Sequence, residues 1–94
     1  MKNNKTQILI KSFTDKYPPE TKLHQIVMAE IMNRRIFRPS KLWESRSIAS
    51  ALGKSDALIS RDMNGRPGGG KTLVRILRYI VRTDKKLNKN KIAA

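Results

Sequence analysis

The stretch from Ser45 to Asn64, SRSIASALGKSDALISRDMN, leaves the backbone few paths, because one glycine divides two short amphipathic runs. Ile48, Ala49 and Leu52 fall on one face of a first helix, since residues three and four apart share a helix face. Gly53 follows, where the chain leaves the helix in a left-handed conformation that only glycine adopts without steric cost. Ser55 then predicts an N-cap, its hydroxyl accepting from a backbone N–H two or three residues on. In the second helix Ile59 points back into the angle between the two, where the small Ala49 permits close approach. The opposite stripe is Ala57, Ser60, Arg61 and Asn64, mostly polar and at helical spacing. Such spacing is that of a helix-turn-helix, whose second helix enters the major groove of DNA.

Charge points the same way. The 94 residues hold 21 Lys and Arg against 7 Asp and Glu, a formal net charge of +14. Residues 1–33 carry five Lys against Asp15, Glu20 and Glu30, whereas residues 34–94 carry 16 basic side chains against four acids. The basic part is therefore the part with the motif. An excess of this size implies a polyanionic partner, nucleic acid first and an anionic membrane second.

Other classes fall away on residue type. With no Cys, neither a disulfide framework nor a cysteine metal site is available. His24 is the sole histidine and has no companion ligand, so it reads as a partly exposed polar residue of a helix, and no metal is expected. No apolar run approaches the roughly 20 residues of a membrane-spanning helix, and Ile8-Leu9-Ile10 is too short for a signal-peptide core. The expectation is a soluble cytoplasmic protein of a bacterial or phage-infected cell, with no membrane partner.

Along the chain the hydrophobic period is mainly helical. Met1 to Asn4 is expected to be a disordered start, and one domain is expected over residues 5–83. Lys5 to Lys16 suits a short helix, although its Ile-rich centre also fits a strand; Tyr17-Pro18-Pro19 ends it. Thr21 to Arg35 is the strongest helix, apolar enough for a core or a dimer interface. Arg38-Pro39-Ser40 breaks the chain, and Leu42 and Trp43 are packing residues ahead of the motif. After a loop from Gly65 to Gly70, a last helix is predicted over about Thr72 to Arg82, with Arg75, Arg78 and Arg82 off its apolar face. Asp84 to Ala94 reads as a basic, flexible tail. The fold class is all-α, a small helical bundle. The alternative is a winged helix, with Gly65 to Ile76 forming a β-hairpin tipped by Arg66 and Lys71.

Gly65-Arg66-Pro67-Gly68-Gly69-Gly70-Lys71-Thr72 also satisfies G-x-x-x-x-G-K-[ST], the phosphate-binding P-loop. A working P-loop needs a buried strand entering it and a second strand ending in an Asp for magnesium. Here the entering residues, Leu58 to Asn64, are amphipathic, and the remaining chain is too short for a parallel sheet. A remote nucleotide-binding reading remains beside two others. One is a plain basic loop; the other is a loop whose N–H groups, with Arg66 and Lys71, hold a DNA phosphate at the next helix's N-terminus.

The residues from Ser45 to about Val81 resemble the lambda-repressor/Cro-like family of helix-turn-helix regulators. The likeness rests on Ile48-Ala49, Leu52-Gly53, Ser55, Ile59-Ser60-Arg61, Asn64-Gly65 and Thr72-Leu73 through Ile76-Leu77. It covers about two-fifths of the chain. It implies a small all-helical DNA-binding domain, often dimeric, of phage, plasmid or antitoxin regulators. Two positions depart from the family pattern: Lys54 stands where a small apolar residue is usual, and Asp62 where an apolar residue is usually buried.

Roles follow from side-chain chemistry. Arg61 suits guanine, whose O6 and N7 accept two bonds from a guanidinium; Asn64 suits an adenine edge and Ala57 a thymine methyl. Ser60 is a short hydroxyl for a base or phosphate. Lys54, Ser55, Arg66 and Lys71 are expected phosphate contacts, and Arg75, Arg78 and Arg82 either extend them or form a solvated face. Asp56 favours the helix dipole at the start of the second helix. The expected function is a sequence-specific regulator of double-stranded DNA of mobile-element origin, a homodimer on two half-sites. No enzymatic activity, cofactor or small-molecule substrate is expected. The main alternative is a protein-binding module, such as an antitoxin or an inhibitor of a host nucleic-acid-binding protein.

Overall fold

The computed structural model describes residues 4–93, with side chains over residues 5–89. The expected disordered start thus falls largely outside the described residues, as does Ala94. Five α-helices follow in order: α1 (Asn4–Thr14), α2 (Leu23–Phe37), α3 (Ser45–Leu52), α4 (Asp56–Met63) and α5 (Gly70–Ala93), with a short 3-10 turn (Lys41–Trp43) ahead of α3. There is no strand among the described residues. The wing expected as the alternative over Gly65 to Ile76 is therefore corrected: from Gly70 onward this segment is helix, and Thr72, Leu73 and Ile76 are buried on one face of it.

In α1 the Ile-rich centre is helical rather than extended. Leu9, Ile10 and Phe13 turn to the core, while Ile8 is 68% exposed. In α2, Ile26, Val27, Glu30 and Ile31 are buried, so the apolar face of the strongest predicted helix is used mainly within its own domain. The Gln25 side chain accepts from the Lys22 N–H at 3.0 Å, tying the start of α2. Its end extends two residues past the expected Arg35, to Phe37, before Pro39.

Trp43 occupies the centre of the bundle with no exposed surface. Tyr79 meets its ring edge-on at 6.3 Å and donates a hydrogen bond to the Leu42 carbonyl at 2.6 Å. The Arg34 guanidinium lies over the same indole at 5.4 Å. Arg34 also joins α2 to α5: it donates to Glu30 Oε1 at 2.8 Å and to Asp84 Oδ1 and Oδ2 at 2.9 and 2.6 Å. Tyr17 adds a 2.5 Å bond from its hydroxyl to Glu30 Oε2. Burial, helped by the Glu30 carboxylate, pushes the Tyr17 phenol up to about 12. Burial raises Glu30, but the hydrogen bonds from Tyr17 and Arg34 outweigh it and hold the carboxyl below its ordinary value.

The expected tail is the second correction. Instead of ending near Arg82, α5 continues to Ala93. Thr83 is buried and Leu87 half-buried, one turn apart on the stripe of Ile76, Leu77 and Ile80, and Asp84 is gripped by Arg34. Those contacts give residues beyond Arg82 a reason to stay helical. Twenty-four residues at the helical rise make about 36 Å, close to the 40 Å longest dimension of the molecule. α5 is the spine against which α1, α2, α3 and α4 all pack.

Between α3 and α4 the turn is made as the spacing predicts. Gly53 adopts φ 68° and ψ 35°. The Lys54 N–H donates to Ala49 O at 2.9 Å and the Gly53 N–H to Ser50 O at 3.2 Å, a Schellman closure. Ile48, Ala49 and Leu52 are buried beneath it, with Ile59 of α4. A Cβ on Gly53 would have open space, so Gly53→Ala is expected to cost only backbone strain, about 1 kcal/mol in urea unfolding. A loss several times larger would show that the turn relies on something besides its left-handed residue.

Candidate nucleic-acid interface

Helix α4 is two turns long and divides cleanly by exposure. Ile59, Asp62 and Met63 are buried, whereas Ala57, Ser60, Arg61 and Asn64 are all exposed. The four expected base-contacting residues thus share one solvent face. The Arg61 guanidinium forms no hydrogen bond or ion pair among the described residues, so its planar fork is uncommitted. Asn64 is less free: it is the C-cap residue, and its amide donates to Ser60 O at 2.7 Å. Reading an adenine edge would require that amide to turn away from its own helix.

Ser55 caps α4, its hydroxyl accepting from the Leu58 N–H at 3.2 Å. Its proton remains available to an acceptor. Asp56 sits exposed in the first turn, where a carboxylate suits the helix dipole.

The loop after α4 owes its glycines to geometry of its own. Gly65 has φ 94°, and the Arg66 N–H reaches back to Arg61 O at 3.1 Å, a second Schellman closure. Arg66 to Gly69 is then a tight turn with Pro67 second and Gly68, at φ 82°, third; the Gly69 N–H donates to Arg66 O at 3.1 Å. Gly69 lies against Asp62, where a Cβ would come within 2.7 Å of Oδ1. The loop is entered by a helix, not by the buried strand a P-loop requires.

Asp62 places a charged side chain on the buried side of α4. Its carboxylate is fully buried at the start of α5, and Oδ1 accepts from Arg66 Nε at 2.6 Å. Burial raises its pKa, but Arg66 and the neighbouring Thr72 hydroxyl pull harder, leaving the carboxyl below its ordinary value. Oδ2 has no hydrogen-bond partner among the described residues. Met63 is buried next to it and supplies an apolar contact at this end of α4. The consequence for the loop is electrostatic. An anion already stands at the N-terminus of α5, and the Nε of Arg66 is bound to it, so the loop is not built to cradle a second one.

Asp62 and Glu30 also set the acid limb of stability. A carboxyl whose pKa is lowered by folding contributes stability above its unfolded value, and this is lost as pH falls through the folded value. Stability should therefore drop below about pH 4, and Asp62→Asn should flatten that drop. Thermal melts between pH 7 and pH 3 would check it; an unchanged pH profile in the variant would contradict it.

The remaining expected cations divide. Lys71 is exposed and Lys54 half-buried, and neither forms an ion pair among the described residues. Arg75 donates to Leu52 O at 3.1 Å, tying α5 to the end of α3, and Arg78 donates to Thr6 Oγ1 at 2.7 Å. These two brace the fold; Arg82 is exposed. The sequence reading missed Lys86, assigned to the tail, which lines a groove between α3 and α5 with Arg46, Ser47 and Ser50. The stripe Thr83–Leu87, at helical spacing from Ile80, is the signal that would have kept it on α5.

No group of three or more His, Cys, Asp or Glu side chains among the described residues is placed to hold a metal ion. None of the described helices is long and apolar enough to cross a membrane. His24 packs its ring against Gly65, joining α2 to the end of α4. No protein-family model matches the chain significantly, and neither does any curated protein or solved structure.

Proposed function

We propose that the chain is a sequence-specific regulator that binds double-stranded DNA, without enzymatic activity, and that α4 reads the major groove. The observation that carries this reading is the exposed face of α4, where the uncommitted Arg61 stands between Ala57, Ser60 and Asn64. The left-handed turn at Gly53 and the +14 charge support it, as does the resemblance to lambda-repressor/Cro-like regulators of phages and plasmids. In this reading Arg61 pairs with guanine, and Lys54, Lys71 and the Ser55 hydroxyl meet phosphates. Arg66 contributes only through the nitrogens that Asp62 leaves free. Two protomers bind adjacent half-sites of a palindrome. Because α2 uses its apolar face mainly inside the domain, the pairing is expected to depend on the DNA.

Selection of bound duplexes from a random library tests the reading. The expected result is one enriched motif, repeated in inverted order about one helical turn apart. Recovery of duplexes without any shared sequence would overturn it. Nonspecific binding alone, falling steeply with salt, is what the net charge provides without a reading helix.

A further inference from the structure

We propose that the C-terminal end of α2 is a docking site for an acidic protein segment that presents aromatic or aliphatic anchors. Met32, Ile36 and Phe37 are 42%, 66% and 73% exposed, while the α2 side chains Ile26, Val27 and Ile31 are at most 1% exposed. Met32 and Ile36, four apart, share a stripe of α2, and Phe37, the last residue of the helix, stands about 100° further round beside the adjoining groove. Large apolar side chains grouped on the surface of a small soluble domain mark contact sites. Beside Phe37 opens a groove of about 330 Å³, walled by Pro39, Ser40 and Leu87 and large enough for an inserted side chain.

Charge selects the occupant. The segment Arg35-Ile36-Phe37-Arg38-Pro39-Ser40-Lys41 holds three cations and no acid. None of the three forms an ion pair among the described residues; Arg35 donates to Trp43 O and Ser45 Oγ, both uncharged. Asp84, the one acid lining the groove, is already held by Arg34. A second copy seated symmetrically would bring these cations against their own counterparts on a chain of +14. An acidic partner meets complementary charge around an apolar centre, which also speeds association.

The site is also clear of the proposed DNA-reading helix. The end of α4 meets α2 at its other half, where Met63 and Asn64 share a groove with His24 and Met28. From Met28 to Phe37 the helical rise carries the surface about 14 Å away. The docking site and the contact with α4 thus occupy different ends of α2.

Random peptides displayed on phage, selected on the full chain and counter-selected on Phe37→Ser, test the proposal. Enriched peptides should combine Asp and Glu with aromatic or aliphatic residues. They should bind wild type at least tenfold tighter than Phe37→Ser or Ile36→Ser, which replace exposed residues, keep the net charge and should bind duplex DNA as wild type does. Peptides that bind wild type and Phe37→Ser equally, or no enrichment, would overturn it. So would sedimentation showing a wild-type dimer that Phe37→Ser abolishes, which would assign the surface to a second copy. None of these outcomes depends on the DNA reading.

Discussion

Replacing Arg61 by Ala is expected to weaken binding to the selected duplex by about tenfold to a hundredfold while leaving binding to unrelated duplexes nearly unchanged. A bidentate arginine–guanine pair accounts for about 1–3 kcal/mol of discrimination, and the side chain is exposed and uncommitted, so its removal disturbs nothing else in the fold. The effect should be confined to one base position of each half-site. The slope of log affinity against log salt should change little, because phosphate contacts set that slope. Lys71→Ala should behave in the opposite way, weakening all duplexes alike and lowering the slope. Fluorescence anisotropy with both duplexes across a salt series separates the two. Equal losses on both duplexes in Arg61→Ala would move this residue from base reading to phosphate contact.

The second large effect concerns stability. Arg34→Met should destabilise the protein by about 3 kcal/mol, because it leaves the buried Glu30 carboxylate without its cation. The side chains of Arg34, Glu30 and Asp84 are 12%, 11% and 23% exposed, so solvent screens the cluster only in part. In a domain of this size such a loss lowers the melting temperature by about 12–24 °C. Part of the loss should return in Arg34→Met/Glu30→Gln, since the second change removes the stranded charge. Tyr17 would still have an acceptor in the Gln side chain. Calorimetry on the two variants is the check; an Arg34→Met protein as stable as wild type would mean that the cluster contributes no net energy.

What the sequence disclosed and what it concealed follow from the range of the interactions. Gly53, Ser55 and the Ile48–Ala49–Leu52 face were legible because each acts within four or five residues, and the exposed stripe of α4 follows from the same period. The Arg34–Asp84 pair was not, because its partners stand 50 residues apart. Missing that pair made residues after Arg82 look like a charged tail, when Thr83, Asp84 and Leu87 bind them to the bundle. Asp62 was hidden for a related reason: its burial depends on Arg66 and on the absence of a Cβ at Gly69, neither of which a helical period reports. The P-loop letters illustrate the reverse failure. Gly65 and Gly70 satisfy the pattern, yet Gly65 closes the end of α4 in a left-handed turn and Gly70 opens α5, on a loop between two helices.

The absence of cysteine makes one experiment unusually direct. A photo-crosslinker attached at Ala57→Cys, on the exposed face of α4, can be irradiated with the selected duplex and compared with the same reagent at Ile36→Cys. Crosslinks from position 57 to bases on the major-groove side, and none from position 36, are the result expected if α4 reads the DNA. Crosslinks from position 36 alone, or from neither position on a duplex that is bound, would contradict it.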